Sequence, residues 1–97
     1  MEIELHRLAE EDLLAGFHFY ERQSARLGHY FLDSLYADLE SLAIHAGVHR
    51  KVFGCFRLLA KTFPYAVYYR IESDRVIVFR VLDCRVDPER HKSGLGR

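Results

Sequence analysis

No apolar run in this 97-residue chain approaches the length of about 20 residues that a helix needs to cross a bilayer. The stretch Met1 to Leu14 is acidic and lacks the basic start and apolar core of a signal peptide, so the chain is expected in the cytoplasm, with no membrane partner. Cysteine is scarce. Cys55 and Cys84 cannot build a disulfide framework and fit half-buried free thiols on strands. Glycine is too dispersed for a phosphate-cradling loop: Gly47, Gly54, Gly94 and Gly96 do not form one. Ser24, Ser34, Ser41, Ser73 and Ser93 all lack the Gly-x-Ser-x-Gly setting of a nucleophile elbow. His45 and His49 have a metal-ligand spacing, but Gly47 between them ends any shared helix, and no Cys or acidic cluster completes a site. His6, His18 and His29 read as surface or boundary residues. No metal and no cofactor is expected.

What is present suffices for one domain over residues 1–97. The apolar fraction is 49% with many aromatics, enough for a core that needs neither metal nor disulfide. Only the polar, glycine-containing end, about 92–97, is expected to be flexible. Net charge is zero, yet it is divided unevenly. Residues 1–46 carry nine acidic and three basic side chains, a net of −6; residues 47–97 carry five and eleven, a net of +6. Such asymmetry points to an acidic partner for the C-terminal half, or to acidic helices packed beside a basic sheet.

Hydrophobic periodicity orders the elements. Ile3 and Leu5 alternate with Glu2, Glu4 and His6, a strand over Glu2–Leu8. From about Ala9 a helix follows, with Glu10, Glu11 and Asp12 at its positive end and Leu13, Phe17 and Tyr20 on one face. The pattern breaks at Ser24 to Gly28, where Ser24 is a candidate cap. It resumes from about His29 with Phe31, Leu35, Leu39 and Leu42, and Gly47 ends it as a left-handed cap. Val48 to Gly54 reads as a basic loop. Strands follow near Cys55–Ala60, Phe63–Glu72 and Arg75–Arg85. The order βααβββ predicts an α+β fold, a small antiparallel sheet with an N-terminal helical hairpin on one face.

The last two strands flank a polar turn, Glu72 to Arg75. An even loop would pair Tyr69 with Val78, Val67 with Arg80 and Tyr65 with Leu82. Tyr65, Val67, Tyr69, Ile71, Val76, Val78, Arg80 and Leu82 would then share one face, and Ala66, Tyr68, Arg70, Ile77, Phe79, Val81 and Arg85 the other; an odd loop would swap the assignment. Both faces are partly apolar. One suits the helices, the other a groove for a partner peptide around Tyr68 and Phe79. Arg57, Arg70, Arg80 and Arg85 either grip phosphates or carboxylates or serve as solvated or internally paired strand residues. Arg80, mid-strand among apolar neighbours, is the one most suited to a structural role.

Phe63-Pro64-Tyr65-Ala66-Val67-Tyr68-Tyr69-Arg70, then Val76 to Leu82, then Arg85-Val86-Asp87-Pro88 resemble the RelE/ParE superfamily of toxins from bacterial type II toxin–antitoxin (plasmid stabilisation) modules. Phe19 to Gln23, Leu27-Gly28 and Phe31-Leu32 extend the likeness, which covers about residues 2–91. The resemblance implies a growth-inhibiting toxin neutralised by a cognate antitoxin that wraps it, in a toxin–antitoxin hetero-oligomer. It implies two activities. RelE-like members cleave mRNA on the ribosome with basic side chains on the sheet; ParE-like members inhibit DNA gyrase and lack that basic set.

Of the ribonuclease pattern this chain keeps Arg57. Leu59 and Ala66 stand where basic residues are expected, and Pro88-Glu89-Arg90-His91 replace the C-terminal basic and tyrosine positions. Without preorganised cations at the scissile phosphate, transition-state stabilisation falls by roughly several kcal/mol. The chain therefore resembles the ParE-like branch, a binder rather than an enzyme. Its candidate target- or antitoxin-binding residues are Arg57, Tyr68, Arg70, Phe79 and Arg85. The alternatives are an mRNA endoribonuclease using Arg57, Arg85, Arg90 and His91, and an inactive member that only binds an antitoxin.

Overall fold

A computed structural model describes residues 1–86 and 88–95. Strand β1 (Glu2–Leu5) leads straight into helix α1 (Arg7–Glu21), then α2 (Leu27–Glu40) and a single turn, α3 (Leu42–His45). The rest is β2 (Arg50–Val52), β3 (Cys55–Leu59), β4 (Tyr65–Glu72), β5 (Arg75–Asp83) and α4 (Pro88–Leu95). The sheet order is β1-β5-β4-β3-β2. Strands β2 to β5 form an antiparallel meander, and β1 joins the β5 edge in parallel. The fold is the α+β arrangement that the βααβββ pattern predicts. Two elements go beyond it: β2 lies inside the expected basic loop, and α4 occupies the expected flexible end through Leu95. Asp87, from the Arg85–Pro88 motif, and Gly96 and Arg97 lie outside the described residues.

The helices bury their apolar stripe on one sheet face. Ala9, Leu13 and Tyr20 from α1 and Phe31, Leu35 and Leu39 from α2 pack on Tyr65, Val67, Tyr69, Val76, Val78 and Val81. Each large side chain removed from water stabilises the fold by about 1.5–3 kcal/mol. An aromatic knot sits at one end: Tyr20 lies 4.8 Å from Phe63 and 5.2 Å from Phe31, ring centre to ring centre, and Phe31 lies 4.9 Å from Tyr65. The α1–α2 contact is close because both helices place a glycine there. A Cβ on Gly16 would stand 2.5 Å from the Phe31 ring, and one on Gly28 would stand 2.6 Å from the Phe17 carbonyl oxygen.

Glu21, not Ser24, organises the link between the helices. Arg26 adopts a left-handed φ of 73° ahead of α2, without a side-chain cap of its own. The Glu21 carboxylate accepts from the N–H groups of Arg26 and Gly28, each at 2.9 Å. The Arg26 amide, ahead of that of Gly28 and the charge of His29, holds the Glu21 carboxyl below its ordinary pKa. Ser24 instead sits in the turn, its N–H donating to the Tyr20 carbonyl at 3.3 Å.

The β4–β5 register follows the even-loop expectation only near the turn. Glu72 opposes Arg75 across a Ser73–Asp74 loop, and Tyr69 opposes Val78. Beyond that, Tyr68 opposes Arg80, Val67 opposes Val81 and Ala66 opposes Leu82. A bulge at Phe79 inserts one residue into β5, and a one-residue slip exchanges faces. Val81 thereby enters the core beneath the helices, whereas Arg80 and Leu82 move to the opposite face with Tyr68. The expected pairs Val67–Arg80 and Tyr65–Leu82 do not form.

Two substitutions test this account. Gly28→Ala drives a methyl into backbone that cannot yield, and is expected to destabilise by about 1–3 kcal/mol in urea unfolding. Glu21→Gln is expected to lower the urea midpoint at neutral pH. Because the folded Glu21 pKa is depressed, its contribution is present above the unfolded carboxylate pKa and lost as pH falls through the folded value. The gap between wild type and Glu21→Gln should therefore close on acidification; a gap independent of pH would refute the charge-assisted cap.

Candidate functional site

The face of the sheet away from the helical hairpin carries most of the candidate residues. Cross-strand pairing sets Arg50 (β2), Arg57 (β3), Tyr68 (β4) and Arg80 (β5) in one row across it. Cys55, Ala66 and Tyr68 form a second, smaller apolar cluster, flanked by Val52, Leu82 and Leu95. The groove expected around Tyr68 is covered: α4 lies over it, and Tyr68 has no exposed surface. A polar latch holds the helix. The His91 ring, 6% exposed, has Nε2 2.7 Å from the Asp83 carbonyl and Nδ1 2.8 Å from the Tyr68 hydroxyl. A carbonyl only accepts, so Nε2 carries a proton, and in the neutral ring Nδ1 accepts from Tyr68. Arg80 adds a third tie, donating to the Gly94 carbonyl at 3.1 Å.

The candidate arginines separate into two groups. Arg80 and Arg85 are committed within the fold. Arg80 donates from Nε and a terminal nitrogen to Asp12 at 2.7 and 2.9 Å, a bidentate pair with both side chains mostly buried. Arg85 donates to Asp83 at 2.9 and 2.7 Å and lies over the rings of Phe19 and Tyr20, on the helix side and not beside Arg57. The Arg85 guanidinium holds the Asp83 carboxyl below its ordinary pKa. Tyr65, in the same corner, is pushed up to about 12 by burial first and the Asp83 charge second.

Arg57 and Arg70 are paired with no carboxylate among the described residues. Arg70 is exposed and lies 5.2 Å over the Phe79 ring, a cation–π contact. Arg57 lies beside Tyr68, whose pKa burial raises and the Arg57 guanidinium partly restores. A cavity of about 90 Å³ opens there, lined by Phe53, Arg57, Tyr68, Cys84, Val86 and His91. Of the four residues of the ribonuclease reading, only Arg57 and His91 meet at this cavity; Arg85 faces the aromatic corner, and Arg90 is an exposed residue of α4.

Both cysteines are free thiols, Cys55 buried and Cys84 exposed rather than half-buried. His45 ends α3, and His49 instead turns its Nδ1 to the Tyr69 hydroxyl, which also accepts from the Gly47 N–H at 2.9 Å. Among the described residues no group of His, Cys, Asp and Glu is placed to hold a metal ion. No described helix is long and apolar enough to cross a membrane. Sequence reasoning did not single out Arg50 or Phe53. Their signal was the apolar Val52 beside Phe53-Gly54, which marks a tight hairpin inside a stretch read as loop.

A family model for the ParE toxin of the type II toxin–antitoxin system parDE matches residues 3–88. The chain belongs to the ParE toxin family. It is therefore the toxin of a type II system, a class whose partner is an antitoxin. Among solved structures it is similar to a chain of the chromosomal ParDE TA system from P. aeruginosa, with a TM-score of 0.70 and 20% identity, covering 84% of this chain and 92% of that one. At that identity the likeness speaks for the fold, including the sheet and the helical hairpin. A search of curated proteins finds no match.

The latch makes one prediction of its own. His91→Ala leaves the Tyr68 hydroxyl buried without its partner, at a cost of about 1–3 kcal/mol. The amides of α4 should exchange with solvent faster while those of β4 and β5 change little. Equal protection of α4 in both proteins would remove His91 from its anchoring role.

Proposed function

We propose that this toxin acts in the cytoplasm by binding DNA gyrase and is held inactive by its cognate antitoxin. The observation that carries the reading is the dispersal of the residues that the ribonuclease chemistry would need. Cleavage of a phosphodiester requires cations and a proton-transfer group converging on one phosphate. Here Arg85 is engaged by Asp83, Arg90 sits on the solvent side of α4, and His91 has both ring nitrogens committed to anchoring. Leu59 and Ala66, where the pattern calls for cations, supply none. A chain so arranged suits recognition by surface contact. Family membership supports the gyrase target, since ParE-like toxins act there.

Arg70 stacked on Phe79 is the part of the expected binding set that a partner can reach directly. Arg57 is half-buried beside it, and Tyr68 becomes reachable only with α4 moved. Arg85 presents one guanidinium face at the other side of the sheet. We assign the antitoxin contact to the Arg70–Phe79 pair, where an aromatic and a guanidinium together form the kind of anchor that dominates interfaces.

The test combines two assays. Purified toxin is expected to inhibit gyrase supercoiling in vitro, and addition of the antitoxin encoded beside it should restore activity. Arg70→Ala is expected to weaken antitoxin binding by about tenfold with little effect on stability. Undisturbed supercoiling together with ribosome-dependent cleavage of mRNA would overturn the reading in favour of the ribonuclease.

A further inference from the structure

Two features of the β2–β3 hairpin are costly and unexplained by the fold. The first is Phe53. It occupies the first position of a two-residue turn, between Val52 and its partner Cys55, with φ of 55°, and Gly54 follows at 81°. Such a turn selects Asn, Asp or Gly at both positions; a bulky aromatic there is a strained outlier. The ring gains little burial in return: Phe53 stays 40% exposed, at the mouth of the cavity, 6.3 Å from the Tyr68 ring centre. The second is Arg50. It stands directly opposite Arg57 on the same face of the antiparallel pair, and like charges so placed repel. Among the described residues no carboxylate neutralises either guanidinium.

A shared ligand accounts for both. Two arginines paired across one face of the hairpin, with no acid beside them, are suited to an anion with several oxygens, for which a phosphate is a better match than a single carboxylate. An exposed aromatic edge beside them offers a stacking surface for a planar ring. Guanidiniums flanked by an accessible aromatic are the elements by which proteins hold single-stranded nucleic acid. We infer that Arg50, Arg57 and Phe53 form a nucleotide-binding site, with the phosphate held between the two arginines and the base stacked on Phe53. The site uses residues other than the Arg70–Phe79 pair and does not depend on the gyrase reading. It requires no cleavage. Its ligand is a nucleoside phosphate, free or within a single strand.

The strain and the repulsion supply a discriminating test, because removing either feature should harm binding without harming the fold. Phe53→Asn gives the hairpin an Asn-Gly turn, which favours the positive φ; Arg50→Gln removes the like-charge pair. Both are expected to keep or raise the melting temperature of the full chain. Binding is read by fluorescence anisotropy with labelled single-stranded RNA and DNA ten-mers at low salt, competed by UMP, AMP or polyglutamate. Saturable binding that weakens with salt, and falls about tenfold in each variant, supports the site. Mononucleotides that compete as well as the oligomers identify the ligand as a free nucleotide; weaker competition identifies a strand. The proposal is overturned by absence of saturable binding to wild type, by variants that bind as wild type does, or by a loss of binding that tracks a lowered melting temperature in both. Competition by polyglutamate equal to that of the oligomers would also overturn it, assigning the arginines to an acidic protein segment.

Discussion

A single carboxylate, that of Asp12, ties the helical layer to the sheet where the sheet would otherwise be open. Strand β1 covers β5 only as far as Val78, where the His6 N–H donates to the Val78 carbonyl at 2.8 Å. Past that point the outer edge of β5 has no strand partner. Asp12, one turn and a half into α1, fills the vacancy: it accepts from the Val81 N–H at 2.9 Å and from two nitrogens of Arg80. The bulge at Phe79 brings both groups within reach of one carboxylate. Removing one partner of so enclosed a pair leaves an uncompensated charge, at a cost of several kcal/mol. The bulge, the exchange of Val81 for Arg80 in the core and the direction in which α1 leaves β1 are thus one constraint seen from three sides.

That constraint also marks the limit of what the sequence disclosed. The strands near Phe63–Glu72 and Arg75–Arg85 and the helical stripes were legible, because each is written in local periodicity; the second helix, expected to run on to Gly47, instead ends at Glu40, and Gly47 follows the separate turn α3. The bulge was not legible. Phe79 is an ordinary strand residue, and only the contact with Asp12, 69 positions before Val81, makes the extra residue favourable. The parallel placement of β1 was hidden for a similar reason. No hairpin joins it to its neighbour, so nothing local records its direction. Glu21 escaped attention because capping is usually sought in the short polar residues nearest the helix start, and Ser24 was nearer.

The candidate site was legible in kind more than in detail. Arg57, Tyr68, Arg70 and Phe79 do share the face opposite the helical hairpin, as alternation along β4 and β5 implied. Arg85 does not, since the strand ends at Asp83 and the next turn carries the side chain back over Phe19 and Tyr20. Tyr68 is at the centre of the face yet sealed beneath α4. That helix is polar overall, so its composition suggested a loose end; what fixes it is His91, Leu95 and the Gly94 carbonyl, three contacts to residues far back in the chain.

The charge asymmetry between the two halves can now be partitioned. Acidic residues of the N-terminal half meet basic residues of the C-terminal half in the Glu4–Arg75 and Asp12–Arg80 pairs, so part of the −6 and +6 is compensated inside the molecule. The compensation is not uniform over the sheet. It is concentrated on β5, the strand that neighbours β1 and α1. Arg50, Arg57 and Arg70 lie on β2, β3 and β4, beyond the reach of the acidic helical surface and without carboxylates among the described residues. Internal pairing and an external acidic ligand were posed by the sequence as rival explanations of one asymmetry. In the folded chain internal pairing holds on β5, where the halves touch, and does not extend to β2, β3 and β4, the strands to which the proposed ligand is assigned.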